Sequence, residues 1–411
     1  MIERRRKSFV RVAAVMSAVV LGLAACGSGS GDSEGGGDDP IKIGLVLPLS
    51  GQYASEGQEI KRGHEMALAE FGGEVAGRKV ELVFGDGFTP EDVVAETNRL
   101  ATRENVDLFV GSYATVASRA GSEASARHEL AWFETHANTD ALAHRGLESY
   151  FRVGPNASSF ADVAVNFIVE GLGDKLGGGK KVFLEHEDGE YGTLLSEQER
   201  EGLESAGFTI VGQGKHKVTA TDFTDSVLKA KKANPDVWLL TGYAPDYSLL
   251  LRTAAAQGFK PKAIIMIGTG DAPSTYEAVG AEALTGAFVV SYGTPLMNST
   301  YAPGNDKFYA DFKKRYGSDP LGSVASTAYA GMTSALNILE KSEGKTDLAS
   351  LGDVARSIDI PMGGLPNGWG VQFDENRENV RARPLIIQWR QDGTIPAVWP
   401  AEAALPDQKI E

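Results

Sequence analysis

The sequence predicts an α/β protein made of two doubly wound parallel-sheet lobes. Short apolar segments alternate with segments of helical apolar spacing, and this alternation occurs in two successive sets. Strands that are separated by helices form parallel sheets with right-handed crossovers and with helices on both faces. The roughly 370 residues that follow the first 40 are enough for two domains with sizeable cores.

The first 25 residues have the order of a secretory signal. Five basic residues precede residue 12, and fourteen small or apolar residues follow at 12–25. This apolar run is shorter than the roughly 20 residues that a membrane-spanning helix needs. We therefore expect a cleavable signal peptide at 1–25 rather than a permanent membrane span.

Cys26 is the only cysteine of the chain, and a segment rich in Gly, Ser and Asp follows it as far as residue 39. Residues 26–39 are predicted to be a flexible linker. The stretch Leu23-Ala24-Ala25-Cys26 resembles a bacterial lipobox. This resemblance implies a diacylglycerol on the Cys26 sulfur, cleavage before Cys26 and acylation of the new amino terminus; the alternative is an ordinary signal with an incidental cysteine.

The net charge excludes some classes of partner. The whole chain carries a formal charge of −15, and because residues 1–25 contribute +4, the remainder carries −19. Nucleic-acid binding depends mainly on attraction to phosphates, so an exported body this acidic argues against it. The same charge argues against binding flat on an anionic membrane.

The first set of elements begins with IKIGLVLPL, a buried strand that is rich in branched residues and ends near Pro48 and Gly51. Pro90 suits the first turn of a helix. In order, the set comprises a strand at 41–49, a helix at 56–71, a strand at 80–86, a helix from 90, a strand at 107–110, a helix at 115–128 and a strand at 130–133.

The second set follows the segment FRVGPN at 151–156. It comprises helices at 158–172, 191–206, 223–233 and 246–257, and strands at 181–184, 208–211, 236–240 and 263–267. The last third is less regular, with a strand at 286–292, helices at 306–316, 323–340 and 348–358, and short strands near 371–373 and 385–389. We find no repeat of fixed period, which argues against a solenoid.

Four stretches in matching order carry a family resemblance: IKIGLVLPLSGQYASEGQEIKRGHEMALAEF, DLFVGSYATVASRAG, HEDGEYGTLLSEQEREGLESAGFTIV and DVWLLTGYAPDYSLLLRTAAAQG. They resemble the type I periplasmic binding proteins, and more narrowly the branched-chain amino-acid (Leu/Ile/Val) receptors of ABC importers. The resemblance implies two lobes joined by a three-segment hinge, with a cleft that closes on the ligand. Lobe 1 would comprise 41–155 and 292–382, and lobe 2 would comprise 156–291 and 383–411.

Ligands of open parallel sheets bind beyond the carboxyl ends of the strands. This rule nominates the loops at 50–57, 111–116, 134–138, 187–192, 242–246 and 268–272. In GSYATVAS a helix begins near Thr115, and its free N–H groups together with the Ser112 and Thr115 hydroxyls suit an anion. The alternative is that Thr115 or Ser118 simply caps the helix.

The resemblance implies that this first loop holds the ligand carboxylate, and that the loop ETHAN at 134–138 contributes a second set of contacts. The candidate ligand-binding residues of the first lobe are Tyr53, Ser112, Tyr113, Ala114, Thr115, His136, Ala137 and Asn138. Tyr53 would line the mouth or be a surface residue. His136 would contact the ligand or serve as a structural hydrogen bonder. The larger side chains of ETHAN depart from the family pattern, and therefore admit ligands other than leucine.

Candidates in the second lobe are Tyr191, Tyr243 and Asp271. Tyrosine offers a rigid apolar face and a hydroxyl group at low entropic cost. Asp271 would balance a ligand ammonium group, or else cap the helix that follows. The acidic residue of the family stands one position earlier, where this chain has Gly270.

Catalytic and metal-binding patterns are incomplete. HEDGE at 186–190 has no second histidine at the spacing of a zinc helix, and 171–181 lacks the glycine spacing of a phosphate loop. The six histidines are scattered without metal-ligand clustering. We therefore predict a protein that is not an enzyme and has no metal or cofactor.

The expected function is that of an extracytoplasmic solute-binding lipoprotein on the outer face of the bacterial cytoplasmic membrane. It would capture an amino acid or a related small polar metabolite, such as an amide, a urea-like compound or an aromatic acid. It would deliver this ligand to an ABC permease and behave as a monomer. The alternatives are a lipid-anchored hydrolase, for which Glu134 and His136 are the nearest candidates, and a ligand sensor that feeds a signalling partner.

Overall fold

A computed structural model describes residues 39–411. The predicted signal peptide, Cys26 and all of the predicted linker except Asp39 lie outside the described residues. The strands are β1 (Ile41–Leu47), β2 (Glu74–Val75), β3 (Arg78–Asp86), β4 (Leu108–Gly111), β5 (Ala131–Glu134), β6 (Tyr150–Arg152), β7 (Lys181–Glu187), β8 (Thr209–His216), β9 (Val237–Thr241), β10 (Ala263–Ile267), β11 (Phe288–Ser291), β12 (Leu385–Gln388) and β13 (Ala397–Trp399).

The α-helices alternate with these strands through most of the chain. They are α1 (Ala54–Glu70), α2 (Pro90–Arg99), α3 (Thr115–Ala126), α4 (Ala157–Asn166), α5 (Gly173–Leu176), α6 (Glu190–Ser205), α7 (Thr224–Ala233), α8 (Ala244–Ala256), α9 (Pro273–Val279), α10 (Ala281–Leu284), α11 (Asn305–Tyr316), α12 (Val324–Lys341) and α13 (Leu348–Ser357). No helix within residues 39–411 is long and apolar enough to cross a membrane.

The first sheet has the strand order β2-β3-β1-β4-β5-β6, and every pair except β2–β3 is parallel. Successive side chains of a strand point to opposite faces of the sheet. In β1, Leu45 and Val46 are both buried, and they pack into separate apolar clusters. Both faces of this sheet are therefore covered, as expected for a parallel sheet.

The second sheet has the order β13-β12-β11-β10-β9-β7-β8. Its strands from β8 to β11 are parallel, whereas β12 and β13 join at one edge in antiparallel orientation. In β9, Leu239 and Leu240 are fully buried in separate clusters, so this sheet is also covered on both faces. The two sheets with their helices confirm the predicted α/β fold class.

The helical segment from α11 to α13 follows β11 of the second sheet in sequence, yet α12 packs closely on α1 of the first. At the contact, a Cβ atom on Gly63 of α1 would lie 2.2 Å from the Ala325 carbonyl oxygen of α12. The absence of a side chain at Gly63 therefore sets how closely these helices approach.

Several short elements differ from the sequence-based expectation. The strand predicted at 371–373 is only a pair of isolated bridges, Ile360 with Val371 and Phe373 with Asn379. The strands β6 and β13 were not expected, because three residues are too few to show a periodic pattern. The strand predicted at 208–211 continues to His216 as β8. The prediction ended too early because Gly212 and Gly214 interrupt the apolar alternation.

We expect Gly63→Ala to lower the free energy of unfolding by about 1–3 kcal/mol, because the new methyl group overlaps backbone that cannot rotate away. Urea denaturation measures this change. The matched control is Gly352→Ala in α13, where a Cβ atom would have Arg356 Nη1 at 3.6 Å as its nearest contact. There, the same substitution should stabilise the protein by about 0.4–1 kcal/mol. Equal effects at both sites would contradict this account.

Candidate functional site

Loops at the carboxyl ends of strands from both sheets meet at a small cavity. The first sheet contributes the loops after β4 and β5, and the second contributes those after β7, β9, β10 and β11. The lining residues are Tyr113, Ala114, Thr115, His136, Ala137, Asn138, Tyr191, Gly242, Tyr243, Gly268, Thr269 and Tyr292. This is the edge at which parallel sheets bind their ligands.

Eight of the eleven sequence-predicted residues line this cavity: Tyr113, Ala114, Thr115, His136, Ala137, Asn138, Tyr191 and Tyr243. Sequence reasoning did not single out Gly242, Gly268, Thr269 and Tyr292. The first three lie in loops that the strand-end rule nominated. Tyr292 was missed because the strand was predicted to include it, whereas β11 ends at Ser291.

Tyr53, Ser112 and Asp271 do not line the cavity. Tyr53 is 2% exposed and packs behind the lining, with its ring centroid 5.8 Å from that of Tyr113 and 5.7 Å from that of Tyr243. Ser112 is buried, and its N–H group donates to Glu134 Oε1 at 3.0 Å. These two residues therefore support the cavity from outside.

The Asp271 carboxylate is engaged in contacts within the protein. It accepts hydrogen bonds from Ser291 Oγ at 2.9 Å and from the Ser323 N–H group at 3.0 Å. Burial raises the pKa of Asp271, and these hydrogen bonds partly oppose the rise. Asp271 connects β11 with the start of α12, which is neither of the roles expected from the sequence.

The first turn of α3 is open to the cavity. Among the described residues, no side chain caps it. The Thr115 hydroxyl is hydrogen-bonded to that of Thr139 at 2.7 Å, and the Ser118 hydroxyl donates to Glu134. The alternative prediction, that Thr115 or Ser118 caps this helix, is therefore wrong. The first N–H groups of α3 remain available to an anion.

Ala114, which precedes α3, has φ +74° and ψ 150°. An L-residue held in this region is strained by about 1–3 kcal/mol. The strained residue lies in the cavity wall, so the surrounding contacts must fix the loop in this conformation.

Glu134 at the end of β5 is the main fixing contact. Its carboxylate is fully buried and accepts hydrogen bonds from the N–H groups of Ser112, Thr135, His136 and Ala137, from Trp132 Nε1 and from the Ser118 hydroxyl. The four backbone bonds measure 2.8–3.0 Å. Burial raises the pKa of Glu134, while this set of donors favours the ionised form. One carboxylate thus ties both loops of the first sheet together.

Arg152 at the end of β6 holds the same loop from the other side. Its guanidinium group donates to the carbonyl oxygens of Ala137 at 2.7 Å and Thr139 at 2.6 Å. Its Nε atom lies 2.9 Å from Glu378 Oε1, and both side chains are almost completely buried. A bridge of opposite charges therefore links the cavity loop to the segment around residue 378.

His136 is held as a neutral imidazole. Its Nε2 atom lies 3.0 Å from the Val324 carbonyl oxygen and donates to it, so Nδ1 accepts from the Thr135 hydroxyl at 2.6 Å. Burial lowers the pKa of His136 to about 4. Both ring nitrogens are occupied, and the ring contributes an uncharged face to the cavity.

Aromatic rings from both sheets surround the cavity in a continuous series, which we call the ring belt: Tyr191, Tyr243, Tyr113, His136 and Tyr292. Neighbouring centroids in the ring belt lie 5.6–6.4 Å apart. Offset and edge-to-face contacts at such distances are favourable for aromatic rings. The cavity therefore has apolar walls whose hydroxyl groups supply the polarity.

A buried charged cluster positions Tyr243. Its N–H group donates to Asp246 Oδ2 at 2.9 Å in the first turn of α8. His216 lies between Asp246 and Glu185, 3.7 Å and 2.8 Å from their carboxylate oxygens. Burial alone would lower the pKa of His216, but the hydrogen bond to Glu185 and attraction to both carboxylates raise it to about 9.

We expect Glu134→Gln to reduce the free energy of unfolding by at least about 2 kcal/mol. The four backbone N–H groups donate to Oε1, which the amide oxygen would replace, so the amide nitrogen would face Trp132 Nε1 and leave that buried donor without an acceptor. Chemical denaturation measures the loss. The control is Glu343→Gln, at a side chain that is 85% exposed, where a change within about 0.5 kcal/mol is expected. A Glu134→Gln protein as stable as this control would contradict the role of Glu134.

The His216 cluster predicts a pH dependence of stability. Because the folded-state pKa of His216 is raised, its contribution is fully present below the ordinary value of 6.5 and is lost as the pH rises through about 9. His216→Gln should remove this component from the free energy of unfolding measured between pH 6 and pH 10. His144→Gln, at a half-exposed histidine, serves as the control. An unchanged pH profile in His216→Gln would overturn the assignment.

Within residues 39–411, no group of three or more His, Cys, Asp or Glu side chains is arranged to hold a metal ion.

The fold resembles solved structures of solute-binding proteins. A leucine-binding protein, LivK, from Thermotoga maritima superposes with a TM-score of 0.78 at 22% identity, over 89% of this chain and 99% of that one. A solute-binding protein from Rhodopseudomonas palustris, in complex with 3,4-dihydroxybenzoic acid, gives 0.76 at 22% identity, over 88% and 96%.

Sequence comparison identifies the family as well as the fold. The Leu/Ile/Val-binding protein homolog 7 of Brucella abortus is 34% identical over 376 residues, which cover 90% of this chain and 94% of the relative. The homolog 8 of the same species is 31% identical over 377 residues. Residues 40–394 match the family model described as periplasmic binding protein. The chain is therefore a member of the periplasmic binding protein family.

Proposed function

We propose that this protein is the extracytoplasmic solute receptor of an ABC importer, and that it captures a small organic metabolite in the cavity between its two sheets. The observation that carries the proposal is the cavity itself, where strand ends of both sheets converge around an open helix N-terminus. Family membership supports the same function, because its members are solute-binding proteins.

The ligand would be held by hinge closure. We propose that the first lobe comprises 41–155 and 292–382, the second comprises 156–291 and 383–411, and the three crossings form the hinge. Tyr113 and His136 come from the first sheet, and Tyr191 and Tyr243 from the second, so a bound ligand would contact both lobes. A ligand that contacts both lobes stabilises the closed form over the open one.

The carboxylate of a ligand would occupy the N-terminus of α3. Tyr113, Ala114 and Thr115 line the cavity there, and the helix dipole favours a negative charge. The proposed ligand is an amino acid, an amide, a urea-like compound or an aromatic acid.

The Glu134 and His136 pair favours this binding role over a hydrolase. Glu134 is engaged by six donors, and both His136 nitrogens are hydrogen-bonded within the protein. A general base must reach the proton that it abstracts. These two side chains would have to break several buried bonds to do so.

Attachment to the membrane would occur through Cys26. The lipobox-like sequence supports acylation there, and several acyl chains together give durable attachment at about 0.8 kcal/mol per buried CH₂ group. The protein would then be tethered outside the cytoplasmic membrane as a monomer, next to its permease.

A thermal-shift screen over amino acids, amides and aromatic acids tests the proposal. A ligand present at about 100 times its Kd should add about 2.7 kcal/mol of stability. Tyr191→Phe and His136→Ala should weaken the response to the best ligand, because both side chains line the cavity. Tyr276→Phe is the control, since its ring packs on Trp389 outside the cavity lining. Equal responses in all three variants would contradict the location of the site.

A further inference from the structure

We infer that the cavity selects an aromatic organic acid without an ammonium group over an α-amino acid. This inference rests on the proposed function and narrows its ligand class. It follows from five features: the side chains that line the cavity, the engagement of the surrounding carboxylates, the packing at position 270, the engagement of the loop carbonyl groups, and two unpartnered hydroxyl groups.

The cavity wall provides no counter-charge for an ammonium group. Among the described residues that line it, every side chain is uncharged at neutral pH: tyrosine, alanine, threonine, asparagine, glycine and the neutral His136. A buried cation without a paired anion is strongly unfavourable. An ammonium ligand would therefore have to recruit a carboxylate from behind the wall.

Four carboxylates behind the wall are already engaged by donors of the protein. Glu134 accepts its six hydrogen bonds, Asp271 is held by Ser291 and Ser323, and Asp246 is held by the Tyr243 N–H group. Glu187 accepts the N–H groups of Gly189 and Gly192 at the start of α6, each at 2.5 Å. Moving any of them into the cavity would leave buried donors unpaired, which is costly.

Position 270 is closed to an acidic side chain. A Cβ atom on Gly270 would lie 2.6 Å from Met266 Cβ and 3.0 Å from Met266 Sδ. This is the position at which the family resemblance places an acidic residue. The packing beneath Gly270 therefore excludes the side chain that would neutralise an ammonium group.

Carbonyl oxygens of the second cavity loop are likewise engaged. The His136 oxygen accepts from the Tyr292 hydroxyl at 3.3 Å, the Ala137 oxygen from Arg152 and the Asn138 oxygen from the Ala157 N–H group at 2.6 Å. These bonds hold the loop in place and compete with any ammonium group for the same oxygens.

Two buried hydroxyl groups of the lining have no partner within the described residues. The Tyr113 side chain is 3% exposed and Thr269 is 8% exposed, and neither Tyr113 Oη nor Thr269 Oγ1 makes a hydrogen bond. Buried polar atoms normally have a hydrogen-bond partner, so we expect a polar group of the ligand to bind here. An aromatic acid with its carboxylate at α3 and its ring within the ring belt fits this uncharged lining.

The test compares two ligand pairs that differ only in the ammonium group: phenylacetate with L-phenylglycine, and 4-methylpentanoate with L-leucine. Isothermal titration of the purified full chain in mild detergent gives each Kd. We expect each deaminated acid to bind at least about tenfold more tightly than its amino acid, because the latter buries an unpaired cation. Phenylacetate should bind more tightly than 4-methylpentanoate, because its ring stacks in the ring belt.

A variant should reduce this preference for the deaminated acid. Thr269→Asp places a carboxylate in the wall, and should weaken phenylacetate binding at least about tenfold and narrow the gap to L-phenylglycine. Thr269→Asn has nearly the same shape without the charge, and should leave the order of the four ligands unchanged. Thermal unfolding of both variants checks that they are folded. If Thr269→Asp does not fold, the four ligand affinities of the wild-type protein test the inference on their own.

Each outcome has a defined reading. Tighter binding of L-phenylglycine or L-leucine than of the deaminated partner would overturn the inference and leave the proposed function intact. Failure of both deaminated acids to bind at millimolar concentration would also overturn it. A wider screen in which no metabolite binds at all would instead overturn the proposed function.

Discussion

The cavity of this protein depends on one buried carboxylate. Glu134 accepts N–H groups from the loop after β4 and from the loop after β5, and thereby fixes two separate chain segments around a single point. A carboxylate can accept four or more hydrogen bonds, which no neutral side chain of similar size can do. Glu134 holds the N–H group of Ser112, two residues before the strained Ala114, and so helps to fix the loop in its conformation.

The same region shows how a protein can use buried charge without exposing it to a ligand. Glu134, Arg152 and the His216 cluster all lie just behind the cavity wall, and each is paired with groups of the protein. Charges held in this way fix the positions of loops and rings. The wall itself is therefore uncharged, and its polarity comes from hydroxyl groups and the first turn of α3.

Much of the fold and part of the site were predictable from the sequence. The apolar alternation located the long strands, and the strand-end rule led to the loops that hold Tyr113, His136 and Tyr243. Asp271 shows the limit of this reasoning, because its partners Ser291 and Ser323 are distant in sequence and only the folded chain brings them together. The four backbone donors to Glu134 were equally hidden, since backbone N–H groups leave no sequence signal.

The aromatic contacts at the cavity have a consequence for any motion between the two sheets. Tyr53 and Tyr113 follow strands of the first sheet and Tyr243 follows one of the second, and these rings contact one another directly. Drawing the sheets apart would expose these ring faces to water, which is unfavourable. In the hinge motion proposed above, the ring contacts would therefore favour the closed form, in addition to any contacts that a ligand makes.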